Sequence, residues 1–261
     1  MKTKAQEWEE FGDMILKNSD DLAQAENSYT EGIKLNPTNV GDLYFKRGMV
    51  RYKMKSYMHA TLDFNFFTQI NPKLEKGWSY YALCMFHLKN YDNAIKYYNN
   101  AININNTEHG LFYIRGVSKV MAHKYREALE DFDKAFNLGA SNILLYYWTG
   151  KCFKEIKEFD KAIFNLSICL NNQNKISKNF NVDSFINRGL SYFNLEKYEE
   201  ALLDFTYALS LDEYNGNALY NRAICHLIFG NQIEGKNDLF RAKELGNKDA
   251  VKFYEKNKNV F

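Results

Sequence analysis

The chain has 261 residues and a formal net charge of +2 at pH 7, from 34 Lys and Arg against 32 Asp and Glu. This near-neutral balance argues against an extended phosphate-binding surface, and a hydrophobic content of 46% excludes bulk disorder. No apolar run approaches the roughly 18 residues of a membrane-spanning helix, and the first ten residues lack the apolar core of a secretory signal, so neither segment is predicted.

From the N-terminus onward, a unit of about 34 residues recurs seven times, and this period predicts paired helices. Each copy has a large residue at position 4, Gly or Ala at positions 8 and 20 and, in most copies, an aromatic residue at position 24. The first copy carries one extra residue in its turn. The seven copies span approximately residues 5–40, 41–74, 75–108, 109–142, 143–176, 182–215 and 216–249.

Two segments depart from this register. Five inserted residues, Ser177 to Asn181, are expected to lengthen the connection before the sixth copy. After the seventh copy, Ala250, Phe253 and Tyr254 fall at helical spacing with lysines on the opposite face. That pattern predicts a C-terminal capping helix over residues 248–257.

These copies resemble the tetratricopeptide repeat (TPR) family, and the resemblance covers nearly the whole chain. It implies an all-α fold, a right-handed superhelix (α-solenoid) in which residues 1–261 form a single array of seven helix-turn-helix repeats and a cap. The small residues at positions 8 and 20 are expected to let the two helices of a repeat approach closely. Large residues at positions 4, 11 and 24 are expected to fill the space between repeats.

Arginine recurs at position 7 in four copies, and the same four copies carry aspartate at position 23. This coincidence predicts an ion pair between the two helices of each of these repeats. A bidentate pair occupies the guanidinium fork that a ligand would need, so we interpret these arginines as structural. The predicted pairs are Arg47–Asp63, Arg115–Asp131, Arg188–Asp204 and Arg222–Asp238.

The motifs of catalysis and cofactor binding are absent from the sequence. There is no phosphate-binding loop, dinucleotide fingerprint or serine nucleophile motif, and the histidines are scattered. The four cysteines fit no zinc or redox spacing and are interpreted as buried, reduced thiols of a cytoplasmic protein. We therefore predict no enzyme activity, no catalytic residue, no metal and no cofactor.

The resemblance implies that helix-A positions 2, 5, 6, 9, 12 and 13 line a concave, partner-binding groove. One branch of the family binds the C-terminal tails of Hsp70 or Hsp90 through a carboxylate clamp. That clamp needs Lys at position 5 with Asn at position 9, then Asn at position 6, then Lys at position 2 with Arg at position 6. Here Asn187, Asn221 and Lys76 match single clamp positions in no usable order, so this ligand is rejected.

Apolar and aromatic side chains dominate the groove positions, and this composition predicts a protein scaffold or adaptor that binds an apolar extended or helical segment. Some position 9 residues are equally compatible with core packing between repeats. A second hypothesis is a self-associating array sealed by exposed aromatics as a homodimer, and a third, disfavoured by the charge, is RNA binding. The candidate groove residues are Phe45, Met49, Tyr52, Tyr80, Phe86, Tyr113, Val117, Tyr147, Trp148, Lys151, Phe193 and Tyr220.

Overall fold

A computed structural model describes residues 2–19, 21–35 and 37–256. In these ranges every regular element is helical, with fifteen α-helices and one short 3₁₀ turn, which confirms the all-α fold. The helices fall into two compact units, Met1–Ala140 (unit one) and Ser141–Phe261 (unit two), and each is described by itself.

Unit one contains four helix pairs, one for each of the first four repeats. Within the unit, each helix packs against the next one along the chain, so every repeat contacts its neighbours in sequence. The helices are α1 (Lys4–Asn18), α2 (Leu22–Lys34), α3 (Val40–Lys53), α4 (Tyr57–Ile70), α5 (Glu75–His87), α6 (Tyr91–Ile104), α7 (His109–Met121) and α8 (Tyr125–Asn137).

Unit two contains three helix pairs and a final short helix. Ala250 of that helix is fully buried, and Phe253 and Tyr254 pack against the apolar cluster of the last repeats. Residue 257 of the expected cap lies outside the described residues. The helices are α9 (Ile143–Glu155), α10 (Phe159–Leu170), α11 (Lys178–Asn194), α12 (Tyr198–Leu211), α13 (Gly216–Ile228), α14 (Gln232–Glu244) and α15 (Lys248–Lys256), with the 3₁₀ turn at Gln173–Lys175. The single array of residues 1–261 stays a prediction.

Glycine at position 8 makes room for the large side chain at position 24 of the same repeat. A Cβ atom on Gly116 would lie 2.5 Å from a ring carbon of Phe132, which is closer than carbon atoms can pack. The expected approach of positions 8 and 20 is also present, since a Cβ on Gly150 would lie 3.3 Å from the carbonyl oxygen of Ala162. At both glycines, the absence of a side chain lets the two helices of the repeat approach closely.

The turn between the two helices of a repeat uses a left-handed residue at position 15. Such a residue ends the first helix and reverses the chain into the second. In six repeats this residue has a positive φ, between 60° and 79°, although only one of the six is glycine: Lys55, Lys89, His123, Lys157, Glu196 and Gly230.

The insertion lengthens the connection, as expected, and also the helix that follows it. Seven residues, 171–177, separate α10 from α11 and include the 3₁₀ turn, whereas four residues separate α12 from α13. Ser177 is the N-cap of α11, and residues 178–181 form the first turn of that helix. As a result α11 has 17 residues, whereas α13, the corresponding helix of the next repeat, has 13. The insertion therefore adds a turn of helix at the start of the sixth repeat.

Candidate functional site

The structure places all four predicted arginine–aspartate pairs in contact. Arg115 binds Asp131 in a bidentate manner, with Nη2–Oδ1 and Nε–Oδ2 distances of 2.5 and 2.9 Å. Burial raises the pKa of Asp204, and its hydrogen bonds with Arg188 oppose that rise. The shortest nitrogen–oxygen distances in the other pairs are 2.7 Å for Arg47–Asp63, 2.7 Å for Arg188–Asp204 and 2.6 Å for Arg222–Asp238.

Three of these arginines also reach back to the preceding repeat. Their Nη1 atoms donate to a polar side chain at position 25 of that repeat, which sequence reasoning missed although the residue type recurs there. Each arginine therefore connects three helices, and this role uses the donors that a ligand would need. The contacts are Arg47–Thr30 at 3.2 Å, Arg115–Asn99 at 2.7 Å and Arg188–Ser167 at 3.0 Å.

A second cation, at position 11, joins the ion pair in two repeats of unit one. Arg51 lies 2.9 Å from Asp63, and Lys119 lies 3.0 Å from Asp131. The Lys119 side chain is only 9% exposed, so the Asp131 carboxylate is what compensates its charge. Repeat six has Tyr192 at this position, and its ring lies near Arg188.

The seam between α3 and α5 in unit one carries a series of rings that we call the aromatic row. Ring centroids lie 5.7 Å apart for Phe45 and Tyr80, 6.2 Å for Tyr80 and Tyr52, and 5.5 Å for Tyr52 and His87. Tyr57 stacks on His87 at 4.4 Å. Phe45, Tyr80 and Tyr52 are partly exposed, so the row reaches the surface of the protein.

The row is uncharged along its length and carries a cation at one end. Burial raises the pKa of Tyr52 and lowers that of His87, so both groups are neutral at pH 7. The hydroxyl of Tyr52 lies 3.0 Å from Nε2 of His87. At the opposite end, Nζ of Lys76 lies 4.4 Å from the centroid of the Phe45 ring, within cation–π range.

The remaining candidates of unit one differ in exposure. Met49 packs beside the row, and the ring of Phe86 is in edge contact with that of Tyr91. The ring centroids of Tyr113 and the buried Phe132 are 6.3 Å apart. Val117 is only 8% exposed and belongs to the core. Position 9 could either line the groove or pack between repeats, and in this repeat it packs in the core.

In unit two, the structure corrects the expectation that Tyr147 faces an open groove. Tyr147 is 2% exposed, because Phe180 from the inserted turn packs edge-on against its ring at 4.9 Å. Phe180 also contacts Trp148 at 6.3 Å. The Tyr147 hydroxyl donates to Asp183 at 2.5 Å, and Lys151 lies 3.6 Å from the same carboxylate. The expected groove at Tyr147 is therefore filled by Phe180 of the same chain.

Unit two also contains a polar cavity of about 380 Å³ that includes two predicted groove residues, Lys151 and Tyr220. The amides of Asn187 and Asn221 line it, and Asp183 contributes a carboxylate. Phe193, the remaining candidate, is in edge contact with Tyr198. Unlike the aromatic row, this cavity mixes amides, amines and carboxylates.

Sequence reasoning missed three contributors to these surfaces. His87 lies at groove position 13, so its position was a usable signal. Tyr57 opens the second helix of its repeat and is outside the groove positions. Phe180 lies in the insertion, where the repeat assigns no position at all, so no signal pointed to it.

Two searches of the described residues were negative. In the ranges 2–19, 21–35 and 37–256, no group of three or more His, Cys, Asp or Glu side chains is arranged to hold a metal ion. The helices of the same ranges are all too short or too polar to cross a membrane.

Paired helices with this periodicity define an α-helical repeat protein. The Tetratricopeptide repeat family model matches residues 182–215, and the model for Anaphase-promoting complex, cyclosome, subunit 3 matches residues 69–135. A solved tetratricopeptide repeat protein from Parabacteroides merdae aligns over 95% of this chain and 96% of its own, with a TM-score of 0.68 and 18% identity. The family model thus identifies a tetratricopeptide repeat in residues 182–215, and the solved protein shows that the chain has the same helical-repeat fold. This fold suggests a scaffold for protein–protein interactions.

Curated relatives match over shorter stretches. The Hsp70-Hsp90 organising protein of Plasmodium falciparum is 30% identical over 100 residues, which is 38% of this chain and 17% of that protein. Human Sperm-associated antigen 1 is 28% identical over 79 residues, 30% of this chain and 8% of that protein. The chain therefore matches less than a fifth of the length of each of these relatives.

Proposed function

We propose that the protein is a non-enzymatic scaffold or adaptor that binds an apolar segment of a protein partner on the aromatic row of unit one. The observation that carries this proposal is the unbroken series of partly exposed rings from Phe45 to Tyr52. The rings beneath it, Phe64 and Phe67, are fully buried, and the row packs on the core cluster that contains Phe64 while keeping part of its surface in solvent. Exposed aromatic side chains of this kind supply much of the binding energy at protein interfaces.

The experiment that tests the proposal is affinity capture with the wild-type chain and with a Tyr52→Ala/Tyr80→Ala variant, followed by quantitative mass spectrometry. The matched control is Tyr207→Ala/Tyr214→Ala, which removes two tyrosines that are 56% and 67% exposed in unit two. The row variant is expected to lose its partner by at least roughly a hundredfold, since a hot-spot residue contributes about 2 kcal/mol. Circular dichroism checks that each variant is folded.

Two results would contradict the proposal. A folded row variant that retains every partner of the wild type places recognition on another surface. Equal losses by the row variant and the control variant mean that the captured proteins recognise exposed tyrosines in general. If the double substitution impairs folding, Lys76→Glu replaces it, because that side chain is exposed and the reversed charge lies at the end of the row.

The name of the Plasmodium relative refers to Hsp70 and Hsp90, but the groove chemistry of this chain supports a different ligand. The amides of Asn187 and Asn221 share their cavity with two carboxylates, Asp183 and Asp249. Two cations also line it, and both are already paired: Lys151 lies 3.6 Å from Asp183, and Lys154 lies 2.7 Å from Glu155. A terminal carboxylate would meet like charge there, which is unfavourable. We therefore keep the prediction that the Hsp70/Hsp90 tail is not the ligand.

A second candidate function, self-association, is favoured by the outer face of α4. Four apolar residues one turn apart are exposed there: Met58 at 63%, Leu62 at 53%, Phe66 at 46% and Ile70 at 49%. The exposed residues of α4 include no Lys, Arg, Asp or Glu, so two copies of this face would not repel each other.

Sedimentation equilibrium tests this alternative. Leu62→Glu/Phe66→Glu is expected to convert a wild-type dimer to a monomer, whereas Leu203→Glu, at an exposed site on α12, is expected to leave the dimer intact. A wild-type chain that stays monomeric up to high micromolar concentration rules the dimer out.

A further inference from the structure

We propose that Tyr81 and Tyr97, in the third repeat, form a site of oxidative cross-linking, at which a one-electron oxidant joins the two rings and so staples α5 to α6. This inference concerns a covalent modification and is separate from the proposed function. Three observations carry it: the place of the pair in the repeat, the way in which the two rings face each other, and a third ring that connects the pair to the surface.

The pair occupies the two repeat positions that hold an ion pair elsewhere in the chain. Positions 7 and 23 carry arginine and aspartate in four repeats, and in the third repeat they carry Tyr81 and Tyr97. The contact between α5 and α6 at this point is therefore made by two phenol rings, and the hydroxyl of Tyr97 donates to that of Tyr81 at 3.4 Å. An arginine–aspartate contact cannot become a covalent bond by oxidation, whereas two phenols can.

The two rings are stacked in an arrangement from which phenoxyl radicals can combine. Their centroids are 4.1 Å apart, and their planes differ by 17°. The hydroxyl oxygens, at 3.4 Å, are closer together than the centroids, so the rings converge at the end where the carbons next to the oxygen lie. In two other tyrosine pairs of unit one, Tyr52–Tyr57 and Tyr52–Tyr80, the planes are tilted by 60° and 73° and the centroids are 5.5 and 6.2 Å apart. Of these three pairs, the stacked one is aligned for a carbon–carbon bond.

An oxidant can act on the pair without entering the core. Tyr81 is only 9% exposed, but Tyr97 is partly exposed, and so is Trp78. The ring centroids of Trp78 and Tyr97 lie 6.0 Å apart, with an interplanar angle of 30°. An electron can thus be taken from either outer ring and replaced by one from Tyr81 through the ring contacts. Burial raises the pKa of Tyr81, so its phenol is protonated at neutral pH and loses a proton together with the electron.

The reaction balances with two equivalents of a one-electron oxidant, either a diffusible radical or a high-valent metal complex. Each phenol gives one electron to the oxidant and its hydroxyl proton to water, and the proton of Tyr81 leaves by way of the adjacent Tyr97 oxygen. The two phenoxyl radicals pair their electrons in one bond between ring carbons ortho to the oxygens. The hydrogen on each of these carbons then moves to the oxygen of its ring, which restores both aromatic rings. The product has lost two hydrogen atoms in total.

Photo-oxidation of the full-length chain tests this inference. Dilute protein is illuminated with tris(bipyridyl)ruthenium and persulfate, and cross-links are identified by dityrosine fluorescence and by mass spectrometry of the digested chain. We expect a Tyr81–Tyr97 product within one chain, at a yield at least about tenfold above that of any other pair, because two rings held in contact react as one molecule. The cross-linked chain should unfold at a higher urea concentration than the untreated chain, since the bond joins residues 16 apart and restricts the unfolded state.

Two variants and one change of condition locate the reaction. Tyr97→Phe keeps the ring but removes the phenol, so it should abolish this product. Tyr207→Phe, at a site on α12 that is 56% exposed, is the matched control and should leave the yield unchanged. In concentrated urea the stack is lost, and the preference for this pair should be lost with it. Circular dichroism checks the fold of each variant, and Tyr81→Phe replaces Tyr97→Phe if the latter does not fold.

Three outcomes overturn the inference. Cross-links that follow exposure, with Tyr207 or Tyr214 joined between chains and no product within the third repeat, show that the stacked pair is not reactive. A product that persists in Tyr97→Phe, or that forms equally well in urea, shows that the stack does not cause the coupling. An unchanged urea midpoint of the cross-linked chain shows that the bond does not staple α5 to α6.

Discussion

Position 5 has opposite environments in the second repeat, which lies in unit one, and the fifth repeat, which lies in unit two. In unit one, Phe45 occupies this position and is partly exposed, with the amine of Lys76 above its ring. In unit two, Tyr147 occupies it and is 2% exposed. The residue that corresponds to Lys76, at position 2 of the following repeat, is Asp183, and it accepts a hydrogen bond from Tyr147.

The length of the following helix causes this difference. In unit one, α5 begins at Glu75, at position 1 of its repeat, whereas α11 in unit two begins four residues before position 1. The added turn brings Phe180 onto Tyr147 and Trp148. A groove position therefore becomes a core position when the neighbouring repeat gains one turn of helix.

The largest expected effect is on stability at position 5. Tyr147→Ala should lower the free energy of unfolding by about 3–5 kcal/mol, because it leaves a cavity under Phe180 and removes a hydrogen-bond donor from Asp183. Phe45→Ala should cost about 1–2 kcal/mol, since its ring is partly in water. Urea denaturation followed by circular dichroism measures both. Equal losses would mean that the two positions do not differ as the structure indicates.

The fold could be predicted because its determinants lie within one repeat. Gly116 and Phe132, or Arg115 and Asp131, meet inside a single helix pair, so their recurrence in the sequence reports their contact. The environment of Tyr147 could not be predicted in this way, because it depends on an insertion that has no counterpart in the other repeats. The same limitation hid Phe180, whereas His87 could have been found from its groove position.

Charge reversal should distinguish the ion pairs of the two units. Arg115→Glu or Arg188→Glu alone should each cost about 3 kcal/mol or more, because a buried carboxylate then faces another. In unit two, adding Asp204→Arg should restore part of the loss. In unit one, adding Asp131→Arg should restore less, because Lys119, only 9% exposed, then faces an arginine.

Thermal melting of the two double variants, each compared with its single variant, measures this difference. Equal recovery in both units would mean that Lys119 does not depend on Asp131 for its compensation. No recovery in either unit would mean that the arginine–aspartate contacts contribute little to stability.

Removal of the ring that covers Tyr147 should be detectable through a thiol. Cys169 is fully buried in the cluster that Phe180 covers, and burial raises its pKa. Phe180→Ala should increase the rate at which this thiol reacts with a maleimide at pH 8, because it opens the cluster to solvent. Cys84 in unit one, whose pKa burial raises to about 12, should be unaffected and serves as the internal control.

Peptide mapping by mass spectrometry assigns the label to each cysteine. Unchanged labelling of Cys169 would indicate that Phe180 does not shield this part of unit two. Faster labelling of both thiols would indicate that the substitution destabilises the whole chain, and that the effect is not confined to the covered cluster.

The smallest expected effect concerns the turns, where the two units should behave alike. Lys89 in unit one and Glu196 in unit two both have φ of 60° at position 15. A left-handed conformation costs a residue with a side chain about 1–2 kcal/mol, and glycine avoids that cost but loses about 0.5–1 kcal/mol through the flexibility of the unfolded chain. Lys89→Gly and Glu196→Gly should therefore each stabilise the protein by about 0.5 kcal/mol, measured from urea midpoints. A gain in one unit only would show that the units differ in their turns as well as in the groove. Equal gains would confine the difference to the surroundings of Tyr147, which the inserted turn covers.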